Sequence, residues 1–356
     1  MLSILDRYVG KHILSSIMVT SFVLILLSGM IKFVEQLRKV DQGSYSVLGA
    51  SLFTFLSIPK DIEQFFPMIV LLGALLGLSS LTNYSELIIM QTSGLSRFQI
   101  AGSVMKTVIP LVFLIMIIGE WIVPISEKLA YTYRTKMTYG TSMFPTQNGL
   151  WVKDGNNFVF IEKILSNTKL IGINIYHFDK EERLQFLCYA ATANFSNYSW
   201  KLSQVNISYL TDINQITTQE ILSDEWKTTL TPDRLNLIVL DPNSLSILKL
   251  YNYIDYLQQN GQEIKNYQLN MWSKIFLPLS TTVMLLMALS FILGPLRGVS
   301  IGVKVVIGII LGFFFHILDK FLEPLSLIYN ISPVFGAILP SIVFLIISII
   351  ALLKYP

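Results

Sequence analysis

The sequence predicts a polytopic α-helical membrane protein with six transmembrane helices and an inserted all-β jellyroll domain. Three observations lead there. Hydrophobic residues make up 53% of the chain and charged residues only 14%, whereas soluble domains carry about 25% charged residues. The apolar residues are gathered in blocks long enough to cross a bilayer, such as the charge-free run Ile13–Ile31. Between the third and fourth blocks lies a long stretch with no spanning run and with the alternation of β-strands.

A bilayer core needs roughly 20 apolar residues as a helix. Six blocks meet this, at about Ile13–Ile31, Phe65–Thr82, Phe98–Val123, Ile275–Gly294, Val299–Leu318 and Val334–Leu353. The first is as long as a full span and lacks a small-residue cleavage site, so it reads as a retained helix and not as a signal peptide. The pairs Gly73/Gly77 and Gly308/Gly312 stand four residues apart and allow helices to approach closely. Glu120 interrupts the third span. A carboxylate is costly in lipid, so it should face protein, water or a cation.

The intervening stretch alternates apolar and polar residues in LWVKDGNNFVFIEKI, GINIYHF, RLQFLCYAATANF and SWKLSQVNISYL. Residues Asp154–Asn157 read as a hairpin turn, and short strands at this spacing suggest a sandwich or jelly roll. In SLSILKLYNYIDYLQQNG the period changes. Leu245, Leu248, Tyr251, Ile254 and Leu257 fall on one helical face, with Asn243 or Ser244 as the cap and Gly261 as the end. The expected organisation is therefore residues 1–124 for helices one to three with a short cytoplasmic helix at about 84–95, residues 125–269 for the periplasmic β domain with a connecting helix at about 244–260, and residues 270–356 for helices four to six.

An even number of spans puts both termini on one side. Placing them in the cytoplasm leaves Lys32, Arg38, Lys39, Lys60 and Lys320 on the far side, against the usual cytoplasmic bias of basic residues. Snorkelling and ion pairing with Glu35, Asp41, Asp61, Glu63 and Glu127 would explain single cations. Cations recurring beside three helix ends, with Lys128, Arg134 and Lys136 at the third, would also suit a phosphorylated lipid headgroup.

No nucleotide-binding loop, nucleophile elbow or paired catalytic carboxylates are visible, so the chain is not expected to be an enzyme, and no cofactor is expected. One cysteine, Cys188, excludes an intrachain disulfide. The three histidines, His12, His177 and His316, are far apart in sequence and read as ordinary side chains, so no metal is expected. The loop NYSELIIMQTSGLSR is unusually apolar. Asn83 or Ser85 can cap a short helix, Glu86 sits in its first turn, and Gly94 can end it. Either it lies on lipid as an interfacial helix, or it docks in a groove of a separate protein.

LDRYVGK, SGMIKFVEQL, SELIIMQTSG, VMKTVIPL, GEWIVP, GLWVKDGNNFVFIE, YAATANF and QLNMWSKIFLPLSTTVMLLMALSFILGPLRG occur in this order around a β insertion. Together they resemble the LptF/LptG (YjgP/YjgQ) permease family along nearly the whole chain. The resemblance implies a permease subunit of an ABC transporter. It would extract lipopolysaccharide from the Gram-negative inner membrane and pass it to a periplasmic bridge. Implied partners are a cytoplasmic LptB-like ATPase dimer that hydrolyses the ATP, a homologous LptF-like permease and a bitopic LptC-like subunit; nucleic acid is not among them. The resemblance makes Glu86, with Ser85 and Leu87, the ATPase-coupling site. It makes Lys32, Arg38, Lys39 and Arg134 lipopolysaccharide-binding, with Phe66 and Phe313 as an apolar wall for the acyl chains. At Tyr131 the sequence departs from the family pattern, where a basic residue is expected. Alternatives are an exporter of another envelope lipid or lipoprotein, and a membrane-anchored β receptor that transports nothing.

Overall fold

The computed structural model describes residues 4–354 apart from 84–85, 95, 141–148, 167, 180, 182, 197–198, 213–214, 227, 229, 233, 236–240 and 294–298. Ser85 and Arg297 therefore lie outside the described residues. The helices are α1 Ile4–Leu37, α2 Val47–Asn83, α3 Glu86–Thr92, α4 Arg97–Ile117 and α5 Val123–Tyr139, then α6 Ile247–Gln259, α7 Lys265–Ile275, α8 Leu277–Leu293, α9 Ile301–Ile328 and α10 Pro333–Lys354. Strands β1 Leu150–Asp154, β2 Asn157–Ser166, β3 Lys169–Phe178, β4 Leu184–Ser196, β5 Ser199–Asp212 and β6 Gln215–Trp226 fall between α5 and α6.

Among the described residues, five helices are long and apolar enough to cross a membrane, and a sixth span results if α7 and α8 count as one bent by 50°. The bend has a covalent cause. Pro278 has no N–H to give the carbonyl one turn back, so one helix ends at Ile275 and the next begins at Leu277. The helices overrun the predicted spans. α1 continues six residues past Ile31, and α2 starts eighteen residues before Phe65. The two overruns meet at the Lys32–Asp61 ion pair.

The helical core lies between α2 and α8, where Leu71, Leu75, Leu78, Met284, Leu285 and Ala288 are buried. The glycine pairs set how near the neighbouring helices come. A Cβ on Gly73 would lie 2.8 Å from the Ile17 Cα of α1, and one on Gly77 3.1 Å from the Ile13 Cα. Gly308 and Gly312 seat α9 on Leu75 and Met68 of α2 in the same way, at 2.5 and 2.7 Å from side-chain atoms. Small residues here replace the hydrophobic effect, which cannot drive helix association in lipid, by close van der Waals contact.

The third span changes period at its middle. Residues Ile118–Ile122 form one π-helical turn, in which the Val123 N–H bonds to the Ile118 carbonyl five residues back. Gly119 in this turn leaves room for Glu63, whose carboxylate would lie 2.4 Å from any added Cβ.

The β domain is one antiparallel sheet in the order β1-β2-β3-β4-β5-β6. The described strands form a meander, without the crossing connections of a jelly roll. Asp154 pairs with Asn157 across a two-residue turn in which Gly155 has φ 57°, a conformation that costs glycine nothing. Val159, Ile161, Ile173, Ala190, Val205 and Trp200 face inward, and α6 covers them with Tyr253, Tyr256 and Leu257. This corrects the expected helix. Ser246, not Asn243 or Ser244, is its N-cap, accepting from the Lys249 N–H. Leu248 and Tyr251 are exposed, while Leu250, Tyr253 and Tyr256 are buried. Leucine and tyrosine occupy both faces, so the sheet selects which face is buried.

Candidate functional site

The cations of the opening loops gather at the end of the helical bundle that carries the β domain. Lys32, near the C-terminal end of α1, makes an ion pair with Asp61 of α2. Asp61 also accepts from Ser28 Oγ at 2.9 Å. Its side chain is 2% exposed and that of Lys32 28%, so the pair presents the ammonium outward and hides the carboxylate. Lys60, the neighbour of Asp61, turns to the segment before α6. It donates to Asp241 at 3.0 Å and to Ser244 Oγ at 2.8 Å. Burial opposes ionisation of Asp241, but Lys60 outweighs it and holds this carboxyl below its usual range.

Both lysines line a cavity of about 560 Å³, together with Lys274, Lys320, Glu63 and Glu323. Lys274 is held by Glu63 at 2.8 Å and Lys320 by Glu323 at 3.0 Å. The ion-pairing alternative is thus realised for Lys32 and Lys60. Lys320 is among the cations expected on this side, whereas Lys274 sits beside an apolar span with no charge run to mark it in the sequence.

Arg134 of α5 is held differently. Its guanidinium lies 4.6 Å from the ring centre of Tyr131 and 4.7 Å from that of Phe53. Tyr131, where a cation is expected, instead supplies a ring that fixes the remaining one by cation–π attraction. Lys39 lies close enough that burial first, and Arg134 second, lower its pKa. Glu35 opposes these two effects without outweighing them. Arg38 is exposed just beyond α1.

Below Lys32 the surface becomes apolar. Phe22, Leu26, Gly29, Met30 and Phe33 of α1 and Ile58 of α2 line an open groove of about 430 Å³. Gly29 precedes Lys32 by three residues, so the groove and the ammonium share a helix face. The two aromatic residues expected to form an acyl wall lie elsewhere. Phe66 is 4% exposed, inside the helical core, and Phe313 is 58% exposed on α9. The α1 stripe was detectable: Phe22, Leu26, Gly29 and Phe33 recur at helical spacing on one face.

At the opposite end of the bundle, Glu86 opens α3. Both of its carboxylate oxygens accept from the Tyr8 hydroxyl of α1, at 3.0 and 2.9 Å. Lys106 of α4 pairs with Asp6 at 2.9 Å, so α1 is tied to α4 there as well. Gly94 follows α3 at φ 94°, as expected for a helix stop. The side chain of Leu87 is outside the described residues. Among the described residues no group of three or more His, Cys, Asp or Glu could hold a metal ion.

A bundle of membrane-spanning length with a β domain at one end and a charged mouth over an apolar groove defines a polytopic membrane protein with an inserted β domain. A family model described as lipopolysaccharide export system permease LptF/LptG matches residues 7–354. The lipopolysaccharide export system permease protein LptG of Escherichia coli K12 is 56% identical over 353 residues, covering 99% of this chain and 98% of that protein. The protein of the same name from Haemophilus influenzae is 47% identical over 348 residues, with 97% of each chain covered. The chain belongs to the LptF/LptG family of lipopolysaccharide export permeases.

Proposed function

We propose that this chain is the permease subunit through which lipopolysaccharide leaves the outer leaflet of the inner membrane. Its termini and α3 lie in the cytoplasm and its β domain in the periplasm. The observation that carries this reading is the juxtaposition at α1, where an outward-facing ammonium sits one turn above an open apolar groove. A glycolipid with a phosphorylated headgroup and several acyl chains matches both parts. Lys32 meets a phosphate, while Arg38, Lys39 and Arg134 extend the basic rim, where an anion would relieve the repulsion between Lys39 and Arg134. Acyl chains lie along Phe22, Leu26 and Met30, and Phe313 belongs to a second apolar face.

Each buried CH₂ is worth about 0.8 kcal/mol, so the lipid does not leave spontaneously and an energy source is required. The source is an ATPase dimer that docks on α3, with Glu86 as the central contact and Ser85 and Leu87 beside it. A second permease of this fold closes the cavity, and a single-span subunit lies beside α1. When the ATPase closes, α3 moves, the cavity narrows and the lipid passes to the β domain. The names of the two relatives support lipopolysaccharide over other envelope lipids, and a permease over an anchored receptor.

The test is Glu86→Lys in the reconstituted complex. ATPase association and lipid release are expected to fall together. Unchanged association and release would remove the coupling role.

A further inference from the structure

The family reading gives no role to Glu120, the carboxylate in the middle of the third span. Its surroundings supply one. Glu120 Oε2 accepts from the Ile247 N–H at 2.8 Å and Oε1 from the Leu248 N–H at 3.3 Å. These are the first two amides of α6, whose N-terminus has no intrahelical partners for them. A carboxylate there also meets the positive end of the helix dipole. The contact joins two distant parts of the chain, a membrane helix and the helix that covers the sheet.

The π-turn at Ile118–Ile122 makes this contact possible. One extra residue in the turn rotates everything after it relative to α4. Gly119 admits Glu63 of α2 alongside, and Glu63 is held by Lys274 of α7 at 2.8 Å. About two turns beyond Glu120, in α5, Glu127 accepts from Ser244 Oγ at 3.2 Å, and Lys60 binds the same hydroxyl. The segment Asp241–Leu248 is therefore gripped by α2 and by the third span, through Lys60, Glu120 and Glu127.

We infer that Glu120 and its π-turn form the joint through which movement of the third span reaches the β domain. This rests on the coupling role of α3 proposed above. Only four residues separate α3 from α4, and α4 runs about 30 Å to the π-turn at 1.5 Å per residue. At the far side of the joint, α6 is packed on the sheet through Tyr253, Tyr256 and Leu257. A displacement at α3 is thus carried by a rigid helix to a two-point carboxylate contact on the helix that holds the sheet. Glu120 is a positioning residue that acts through the Ile247 and Leu248 amides.

The experiment compares Glu120→Gln with Ser246→Ala in the full complex, reconstituted with its ATPase in lipopolysaccharide-containing vesicles. Both variants weaken the cap of α6, but only the first severs α6 from the third span. Glu120→Gln is expected to speed amide exchange at Ile247 and Leu248 by roughly tenfold, as loss of one charge-assisted hydrogen bond implies. It is expected to keep ATP hydrolysis while releasing several-fold less lipid per ATP. Ser246→Ala should fray the helix comparably and keep the wild-type ratio of lipid to ATP. If Glu120→Gln does not accumulate, Glu120→Asp keeps the charge with a shorter reach and should lower the same ratio. A wild-type ratio in the Glu120 variant, or an equal loss in Ser246→Ala, overturns the joint. Absence of ATP-driven release from the wild-type complex would instead overturn the transport reading on which the joint rests.

Discussion

Lys32 has two partners in this account, Asp61 within the chain and a phosphate from outside, and a double-mutant cycle separates them. Lys32→Gln leaves Asp61 buried at 2% exposure with the Ser28 hydroxyl as its remaining bond. Breaking a fully buried pair costs about 3–5 kcal/mol. Because the lysine is 28% exposed and Ser28 stays, about 1–2 kcal/mol is expected here. Asp61→Asn removes the stranded charge, so the double variant should recover most of that stability. Binding should not recover. Loss of one charge-assisted contact to phosphate is worth about 1.5–3 kcal/mol, or roughly 10- to 100-fold in affinity. Asp61→Asn alone should bind the lipid at least as well as wild type, since its ammonium is released. The assays are thermal unfolding in detergent and lipopolysaccharide binding by the purified complex, at one salt concentration because exposed charges are screened. Wild-type binding by the double variant would show that Lys32 serves only Asp61, and the phosphate argument would fail.

Gly73→Val would place its Cβ 2.8 Å from the Ile17 Cα and 2.5 Å from Ile17 Cγ1, forcing α1 off α2. Overpacking of this kind costs about 1–3 kcal/mol, and cysteine crosslinking between positions 28 and 61 should fall, whereas Gly102→Val, with nothing within 4 Å of its Cβ, should leave it unchanged. Tyr131→Ala removes one of the two rings on Arg134 and about 0.5–1 kcal/mol of attraction; lipid binding should weaken severalfold, and Tyr131→Phe should preserve it. Asp241 has a folded pKa below its ordinary value, so its contribution to stability is present above that ordinary value and is lost as pH falls through the folded one. Asp241→Asn should flatten the acid side of the melting-temperature profile, and a profile that keeps the wild-type slope below pH about 4 would show that the Lys60 pair stabilises nothing.

The bundle was legible because bilayer thickness imposes a length on apolar runs, and the six predicted blocks fall on α1, α2, the α4–α5 span, the bent pair α7–α8, α9 and α10, save for Gly294, outside the described residues, and Val299–Ser300, which precede α9. The ends were not, because α1 and α2 extend beyond the apolar limit on ion pairs such as Lys32–Asp61, which composition reads only as charge. Strand alternation revealed β1 to β5. It did not reveal β6, where Thr217, Gln219, Glu220 and Asp224 leave few apolar positions. For the site, charge out of place marked Lys32 and Arg134, since a cation against the usual bias needs a reason. Phe66 could not be assigned to a face, because a span that is apolar all round gives no direction to its side chains. Glu120 was visible as an expense in lipid, but its partner is a pair of backbone amides 127 and 128 residues away, which leave no trace in side-chain chemistry.

The central claim is that a phosphorylated glycolipid lies against α1, with its acyl chains in the groove and its phosphate at Lys32. A photoreactive residue placed at Met30 or Phe22 in the assembled complex tests this directly. The account predicts a covalent adduct with lipopolysaccharide before ATP is added, and its decline as ATP is hydrolysed. No adduct at either position, in a complex that still releases lipopolysaccharide, would contradict it.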